Sequence, residues 1–491
     1  MGKRHLLFYN DARHGYMYCY DPPMRLEDAR APIDEVAGTS VDTFVYGFGA
    51  GPTMFHNTRV GEIWGQRFGR FKSQGGGAVY AWRAYENIKS LIDRGLDPLN
   101  VLIDRAHEKG IEFFASLRQS HSIDPKEVEN HFNWQFRIDH PEWCLKGPGR
   151  HCFNWVHPEV RAERFALIEE TVTRYDVDGF EVDWVFDAHY FEPNQVEANA
   201  HILTEYMGEV RRVVDDSARK RGRPIALGAR VLPTPAGNQK AGLDVAAWIE
   251  GDLLDFVVPN VYGDLQMDSD LPFEWLVKQT RSNRCEVYPA LQSRVESHKE
   301  QPAGLEHYYA GATAYWTKGA DGLYLPWFAW PVQTEGRHIL SMIADPELTE
   351  EQPKHYVVRR QSEVADQHGY SSPLPLPLTT GLDAAGQTVP LYVADDSKKV
   401  RATLRLRLND TTTHDSMTVS LNGQPLATDT CWRTTIGYLA AWLDYPLPRG
   451  VLHRGRNVVG VAVHRRPDNL AGQVILESVE LKVEYPPQEP Q

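Results

Sequence analysis

Eight short apolar runs, each followed by a helical stretch, fill about the first 345 residues of this chain, and few folds accommodate that rhythm. The runs are Leu6–Tyr9, Val41–Phe48, Ile111–Leu117, Gly179–Trp184, Ile225–Val231, Phe256–Val261, Glu286–Leu291 and Gly322–Trp327. The spacing between them predicts helices over Leu26–Val36, Pro98–Lys109, Pro158–Arg174, Val196–Lys220, Val245–Ile249, Phe273–Thr280, Leu305–Lys318 and His338–Ala344. Strands that alternate with helices pair in parallel and are covered on both faces. No strand runs directly into a GxGxxG turn opening a helix, which favours a closed barrel over an open doubly wound sheet. The expected fold is therefore α/β, a (β/α)8 TIM barrel over residues 1–350. The glycine run 75–77 reads as a flexible loop, not a phosphate cradle.

The rhythm then changes. A polar stretch leads to Ser371-Ser-Pro-Leu-Pro-Leu-Pro377, a stiff run that makes 351–378 an expected linker. Alternating period-two segments follow at Ala402–Leu408, Met417–Leu421, Tyr438–Leu443, Val458–Val463 and Val474–Val483, with Asn422-Gly423 as a turn signal. An all-β sandwich domain is expected over 379–487, with Trp432, Tyr438 and Trp442 in its core and a frayed tail from Pro486 to Gln491.

A net charge of −14 gives nucleic acid nothing to grip, and aromatic residues at 11% fall beside polar ones in loops, which suits a neutral polyhydroxylated partner. The five cysteines, Cys19, Cys144, Cys152, Cys285 and Cys431, show no CxxC spacing; free thiols are expected, and neither zinc nor a disulfide framework. His121, His151, His157 and His189 lack metal-pair spacing, so no metal and no cofactor is expected. The first ten residues lack the longer apolar core of a signal peptide, and no apolar run approaches the roughly 18 residues of a membrane span. The expectation is a soluble chain without a membrane partner, cytoplasmic as it stands, or secreted or periplasmic if a leader has been removed. Assembly into a homo-oligomer is left open.

Barrel active sites form where the strands end, on the C-terminal face. The residues there are Asn10, Asp11, Arg118, His121, Glu181, Asp183, Arg230, Asn260, Tyr262, Gln292 and Trp327, with His189 in a following loop. Glu181 and Asp183 are two apart and so share a strand face. Glycoside cleavage needs two carboxyl groups across one bond. Asp183 is the candidate nucleophile or charge stabiliser. Glu181 either tunes its proton affinity or pairs with Arg118 or Arg230 as a structural group. Asp187, Asp264, Glu296 and Asp11 all follow strand ends, and Asp187 completes the catalytic set expected here. The remaining polar residues are expected to bind an oligosaccharide or polysaccharide, with Trp327 as a stacking floor or as core. One alternative is a carbohydrate-binding barrel that has lost an acid. The other is a lyase eliminating uronates, with Tyr262 or His121 as base and an arginine neutralising the carboxylate.

A resemblance narrows the choice. Phe114-Ala-Ser-Leu-Arg118, His140-Pro-Glu-Trp143, Asn154-Trp-Val-His-Pro-Glu-Val-Arg161 and Tyr175-Asp-Val-Asp-Gly-Phe-Glu-Val-Asp183 together resemble the family-10-like glycoside hydrolase group of bacterial barrels. The resemblance implies sugar processing, without a particular linkage. The α-amylase superfamily carries Gly-Phe-Arg-x-Asp on its fourth strand, and here Glu181 stands at the Arg. Chitinase-like barrels carry Asp-Gly-x-Asp-x-Asp-x-Glu, and here Val185 stands at the last acid. Arg454-Gly-Arg-Asn-Val-Val-Gly-Val-Ala-Val463 resembles the penultimate strand of galactose-binding-like sandwiches, which implies either sugar binding or a packing and dimerisation role.

Overall fold

The computed structural model describes residues 4–11, 17–50, 53–67, 69–73, 77–296, 299–381, 386–396, 398–436 and 439–486. Gly75, Gly76, Tyr438 and the tail beyond 486 lie outside the described residues. The chain forms two compact units. One comprises 1–262, 273–290 and 320–341; the other comprises 263–272, 291–319 and 342–491.

The first unit is the barrel. Its strands are β1 (Leu6–Asp11), β2 (Thr43–Gly47), β3 (Glu112–Arg118), β4 (Gly179–Asp183), β5 (Ala226–Val231), β6 (Phe256–Pro259), β7 (Glu286–Val287) and β8 (Leu323–Leu325). They pair in the parallel order β7-β6-β5-β4-β3-β2-β1-β8. The ring closes where the Asp321 N–H bonds the Val287 carbonyl at 3.0 Å and the Tyr324 N–H bonds that of Pro289 at 3.1 Å. Inside lie Leu7, Tyr9, Val45, Phe114, Ala226, Phe256, Val258, Tyr288, Ala290 and Tyr324. Two glycines give the large rings their room. A Cβ on Gly179 would lie 2.6 Å from Phe114, and one on Gly228 only 2.2 Å from Phe256.

Helices follow the sequence signals closely. Leu26–Val36 and Pro158–Arg174 have the expected bounds, the latter opened by a proline in its first turn. Pro98–Glu108 is capped by Asp97, whose side chain accepts from the Leu99 N–H. Helix Ala78–Ile92 was not expected; its buried stripe of Ala81, Ala84, Tyr85, Ile88 and Leu91 has helical period but starts on two alanines after a long polar stretch. β7 and β8 are shorter than the apolar runs that announced them, so Leu291 and Gln292 lie past the strand.

Besides the antiparallel pair of Arg294–Glu296 with Glu300–Pro302, the second unit holds two larger antiparallel sheets among the described residues. In the larger, Lys354–Val357, Val474–Glu484, Arg401–Asn409, Ala440–Pro446 and Trp432–Ile436 lie in that order, and Leu376–Leu378 also pairs with Val474–Glu484. The smaller runs Gln387–Val393, Gly455–Arg465, Ser416–Leu421, Gln424–Pro425. Leu404, Leu406, Leu443 and Leu481 from one sheet meet Val389, Leu391, Val419 and Val461 from the other in one core. The stretch read as a linker thus contributes two strands: its short apolar runs were masked by the flanking prolines and charges. Asn422 and Gly423 do form the turn, both at positive φ. Asn457, fully buried, donates to the His453 and Gly455 carbonyls and accepts from Asn422, so this asparagine ties a turn to a strand. Trp432 is not core: it is 73% exposed, whereas Trp442 is buried.

All five cysteines are free. Among the described residues no helix is long and apolar enough to cross a membrane.

Candidate functional site

Strand register builds the site in two rows across the barrel mouth. In the upper row Arg118 of β3, Asp183 of β4 and Arg230 of β5 are direct neighbours. One step deeper Asp11 of β1, Gly47 of β2, Ser116 of β3, Glu181 of β4 and Gly228 of β5 stand side by side. Adjacent strands lie about 4.8 Å apart, so in the upper row each charge is within reach of the next. Gly47 is required here, because a Cβ would lie 2.5 Å from the Tyr9 hydroxyl.

Glu181 and Asp183 do share the inner face, but their surroundings differ. Glu181 Oε1 accepts from Arg230 Nη2 at 2.6 Å, the Ser116 hydroxyl at 2.7 Å and the Tyr324 hydroxyl at 3.2 Å. It is fully buried, as is Arg230, whose guanidinium also lies over the ring of Tyr9. Of the two roles open to Glu181, the geometry matches the structural pair with Arg230. Asp183 is also 0% exposed. Its Oδ1 accepts from the Val185 and Phe186 amides at 3.0 and 3.2 Å, and its Oδ2 faces Arg230 Nη1 at 3.4 Å. Arg118 completes the cluster, donating to Asp11 Oδ2 at 2.6 Å beneath the ring of Phe186. Burial works against the charge of Arg118, but the carboxylates of Asp11 and Asp183 and the phenols of Tyr9 and Tyr262 outweigh it and raise its pKa.

Asp187 stands four residues on, in the left-handed region at φ 45°. Its Oδ2 accepts from the Ser122 amide at 2.8 Å. Burial pushes its pKa above the ordinary carboxylate value, against the pull of that amide and of His189, Arg118 and Arg137. The Ser122 amide is itself held. Arg137, fully buried, donates to the carbonyls of His121 and Ile123 on either side of it, at 2.6 and 3.2 Å. The other candidates for a second carboxyl are ion-paired: Asp11 with Arg118, and, in the second unit, Asp264 with Arg359 at 2.7 Å and Glu296 with Arg360 at 3.5 Å.

Aromatic residues rim this cluster. Phe186 packs on Tyr262 with ring centres 4.1 Å apart, Tyr262 on Trp327 at 5.8 Å, and His121 edge-on to Phe186 at 5.0 Å. Tyr262, Trp327, His121 and His189 are half-buried. Asn260 is buried beside β5, its amide bonded to the Val231 carbonyl at 2.8 Å. Burial lowers the pKa of His189. Two expected members fall elsewhere. Asn10 alternates with Asp11 and so turns to the outer face of β1, and Gln292 belongs to the second unit. Sequence reading missed Tyr9, Ser116, Tyr324 and Phe186, which look like ordinary strand or loop residues until register places them. Among the described residues no group of three or more His, Cys, Asp or Glu side chains is placed to hold a metal.

Residues 57–217 match the family model described as Glycosyl hydrolase-like 10. That segment contains the motifs at 114–118, 140–143, 154–161 and 175–183, so the resemblance read from them stands. Glycosyl hydrolase DigH from Escherichia coli strain K12 is 22% identical over 236 residues, which cover 40% of this chain and 53% of that protein. Glycosyl hydrolase YngK from Bacillus subtilis strain 168 is 21% identical over 234 residues, covering 40% and 45%. The chain spans about half the length of the curated relatives it matches. Among solved structures, the PgaB (BpsB) glycoside hydrolase domain from Bordetella bronchiseptica aligns with 70% of this chain and 99% of its own length, at 13% identity and a TM-score of 0.42. Alpha-L-fucosidase isoenzyme 2 from Paenibacillus thiaminolyticus aligns with 72% and 51%, at 12% identity and a TM-score of 0.41. Similarity at that level carries no functional weight.

Proposed function

From the Glycosyl hydrolase-like 10 match over residues 57–217, we propose that the barrel is a glycoside hydrolase acting on an oligosaccharide or polysaccharide at its C-terminal mouth. The observation that carries this reading is the contrast between Asp183 and Asp187 on one strand-to-loop turn. Glycoside hydrolysis needs one carboxyl that arrives protonated and one that stays charged. Burial raises the pKa of Asp187, which suits the general acid. Asp183 lies between two arginines and under two amides, which suits a fixed carboxylate that stabilises or attacks the anomeric carbon. Glu181 then serves by holding Arg230. Tyr262 and Trp327 supply flat faces for sugar rings, and Phe186 and Tyr262 must part for a substrate to reach Asp183.

One observation favours a second reading, a carbohydrate-binding barrel without turnover: Asp183 is 0% exposed and faces Arg230 at 3.4 Å. Reducing-sugar release from a glycan panel separates the two. On the hydrolase reading Asp183→Asn and Asp187→Asn each lose at least ~100-fold in turnover. In Asp183→Asn an amide oxygen still accepts from Val185 and Phe186, but the new NH2 faces Arg230, so the loss of turnover is read per folded molecule. Saturable binding without cleavage by the wild type establishes the second reading instead.

A further inference from the structure

We propose that strand Trp432–Ile436, the free edge of the six-stranded sheet in the second unit, pairs antiparallel with the same strand of a second copy of this chain, about a twofold axis at Thr434. A bare sheet edge is a template for another strand, and proteins cover, shorten or interrupt such edges. Among the described residues the other edges of the sandwich are treated in those ways. Helix Leu305–Thr317 packs along Lys354–Val357, and Leu376–Leu378 is three residues long with Pro377 at its centre. Pro390 interrupts the donors of Gln387–Val393, and Gln424–Pro425 is two residues long. Trp432–Ile436 has five residues and neither proline nor lysine. Its one charged side chain, Arg433, is drawn back to donate from Nη2 to the Thr411 carbonyl at 3.1 Å. Three large apolar side chains stand in water at this edge: Trp432 is 73% exposed, Ile436 42% and Leu439, at the end of the same hairpin, 60%.

The ladder fixes which main-chain groups face outward. The Leu447 N–H bonds the Ala402 carbonyl, and the Asp410 N–H bonds that of Leu439. These two pairs flank the ladder between Arg401–Asn409 and Ala440–Pro446 and share its register. Hydrogen-bonded pairs recur every second residue in an antiparallel ladder, so Ala441, Leu443 and Tyr445 turn their N–H and C=O groups toward Arg401–Asn409. Ala440, Trp442 and Asp444 therefore turn theirs toward Ile436, Thr434 and Trp432, the residues directly opposite them. The N–H and C=O groups of Arg433 and Thr435 are left pointing off the sheet.

Under antiparallel pairing this strand is its own complement. With Thr434 on the axis, Arg433 meets Thr435 of the second copy, and the outward groups of the two strands exchange four hydrogen bonds. Thr434 meets Thr434, and Trp432 meets Ile436 of the second copy twice over, both as non-hydrogen-bonded pairs, in which side chains approach most closely. Aromatic with β-branched and threonine with threonine are favoured cross-strand partners. Leu439 lies at the end where the second copy's indole arrives, so the three exposed apolar side chains share one contact. No charge meets a like charge. A strand of another sequence has no such match prescribed for it. The interface is small, below about 1,200 Å², so the dimer should be weak, with a dissociation constant on the order of 10 µM.

Sedimentation velocity of the full chain over a range of loading concentrations should show a monomer passing into a dimer. Thr434→Lys sets two ammonium groups against each other on the axis, and Thr435→Pro removes an outward donor; each should leave a monomer at every concentration. Trp432→Ala should weaken the dimer about ten-fold or more, as for an anchoring aromatic. Because Thr434 is exposed, Thr434→Lys should unfold with the parent, which keeps the test readable if Thr435→Pro disturbs the hairpin. Geometry supplies a positive test. A non-hydrogen-bonded pair sets Cα atoms about 4.5 Å apart, within disulfide range. With diamide as oxidant Thr434→Cys should form a covalent dimer well above the level of the parent's own cysteines, and Thr435→Cys, which would face Arg433, should not. A chain that is monomeric at every concentration overturns the proposal and leaves the edge to a partner of another sequence. A dimer that Thr434→Lys leaves intact also overturns it, as does equal cross-linking by Thr434→Cys and Thr435→Cys.

Discussion

Arg230 is shared by two carboxylates, Glu181 at 2.6 Å and Asp183 at 3.4 Å, with no exposure on any of the three. Removing one partner of such a cluster leaves a buried charge uncompensated, at a cost of about 3–5 kcal/mol. Arg230→Met should therefore destabilise by that order in urea unfolding, and Arg230→Met with Glu181→Leu should recover much of it. A single-variant loss below about 1 kcal/mol would show that the pair is not a lock. Asp187 makes a second prediction at this scale. On the hydrolase reading Asp187 is the general acid, which works only while protonated, so activity falls as pH rises through its pKa. Arg137→Met frees the 121–123 backbone and removes a nearby positive charge, both of which have been holding that pKa down. The alkaline limb of the pH–rate profile should move to higher pH, and Arg137→Lys should move it less. That Glu181 and Asp183 share a face was legible from their spacing alone. Which arginine each would meet was not, because register between strands 49 residues apart, as for Glu181 and Arg230, leaves no local trace.

Elements were legible where one signal dominated. β4 and helix Pro158–Arg174 appear as read, because an apolar run and a helix-opening proline point the same way. Helix Ala78–Ile92 and the strands at Lys354–Val357 and Leu376–Leu378 escaped notice, because alanines, prolines and charges dilute their periods. The glycines of β4 and β5 show what the strands require of one another. Gly228→Ala places a methyl 2.2 Å from the Phe256 ring, an overpacking that typically costs about 1–3 kcal/mol. Combining it with Phe256→Leu should return part of that stability in chemical unfolding. If Gly228→Ala is neutral, the ring has room to move and the layered interior is looser than its geometry indicates.

For the whole molecule, acid is the informative stress. Burial between Phe48 and Tyr175 pushes the imidazole of His56 down to about 4. In the second unit burial, with the stacked ring of His355, does the same to His307. An unfolded histidine takes its proton near pH 6.5, so below that the unfolded chain binds more protons than the folded one. Stability contributed by these residues is complete above pH 6.5 and is lost as pH falls toward 4, by roughly 3 kcal/mol for each. The half-buried carboxyls of Asp187, Asp42 and Asp268, whose pKa values desolvation raises, act in the opposite sense and offset part of the loss. Urea midpoints between pH 7 and 4.5 should fall, and His56→Gln should flatten the slope. The overall plan was readable because eightfold alternation and then period two admit few architectures; the division of residues 263–319 between the two units was not, since it depends on packing rather than on local pattern.

The row that joins Arg118, Asp183 and Arg230 also fixes an electrical sign. Counted at formal charge with Asp11 and Glu181 beneath it, the mouth holds three carboxylates against two guanidinium groups. One negative charge is left over in a poorly hydrated place. An inhibitor whose ring nitrogen carries a proton should therefore outcompete its uncharged lactam twin of the same shape, and salt should barely change the preference.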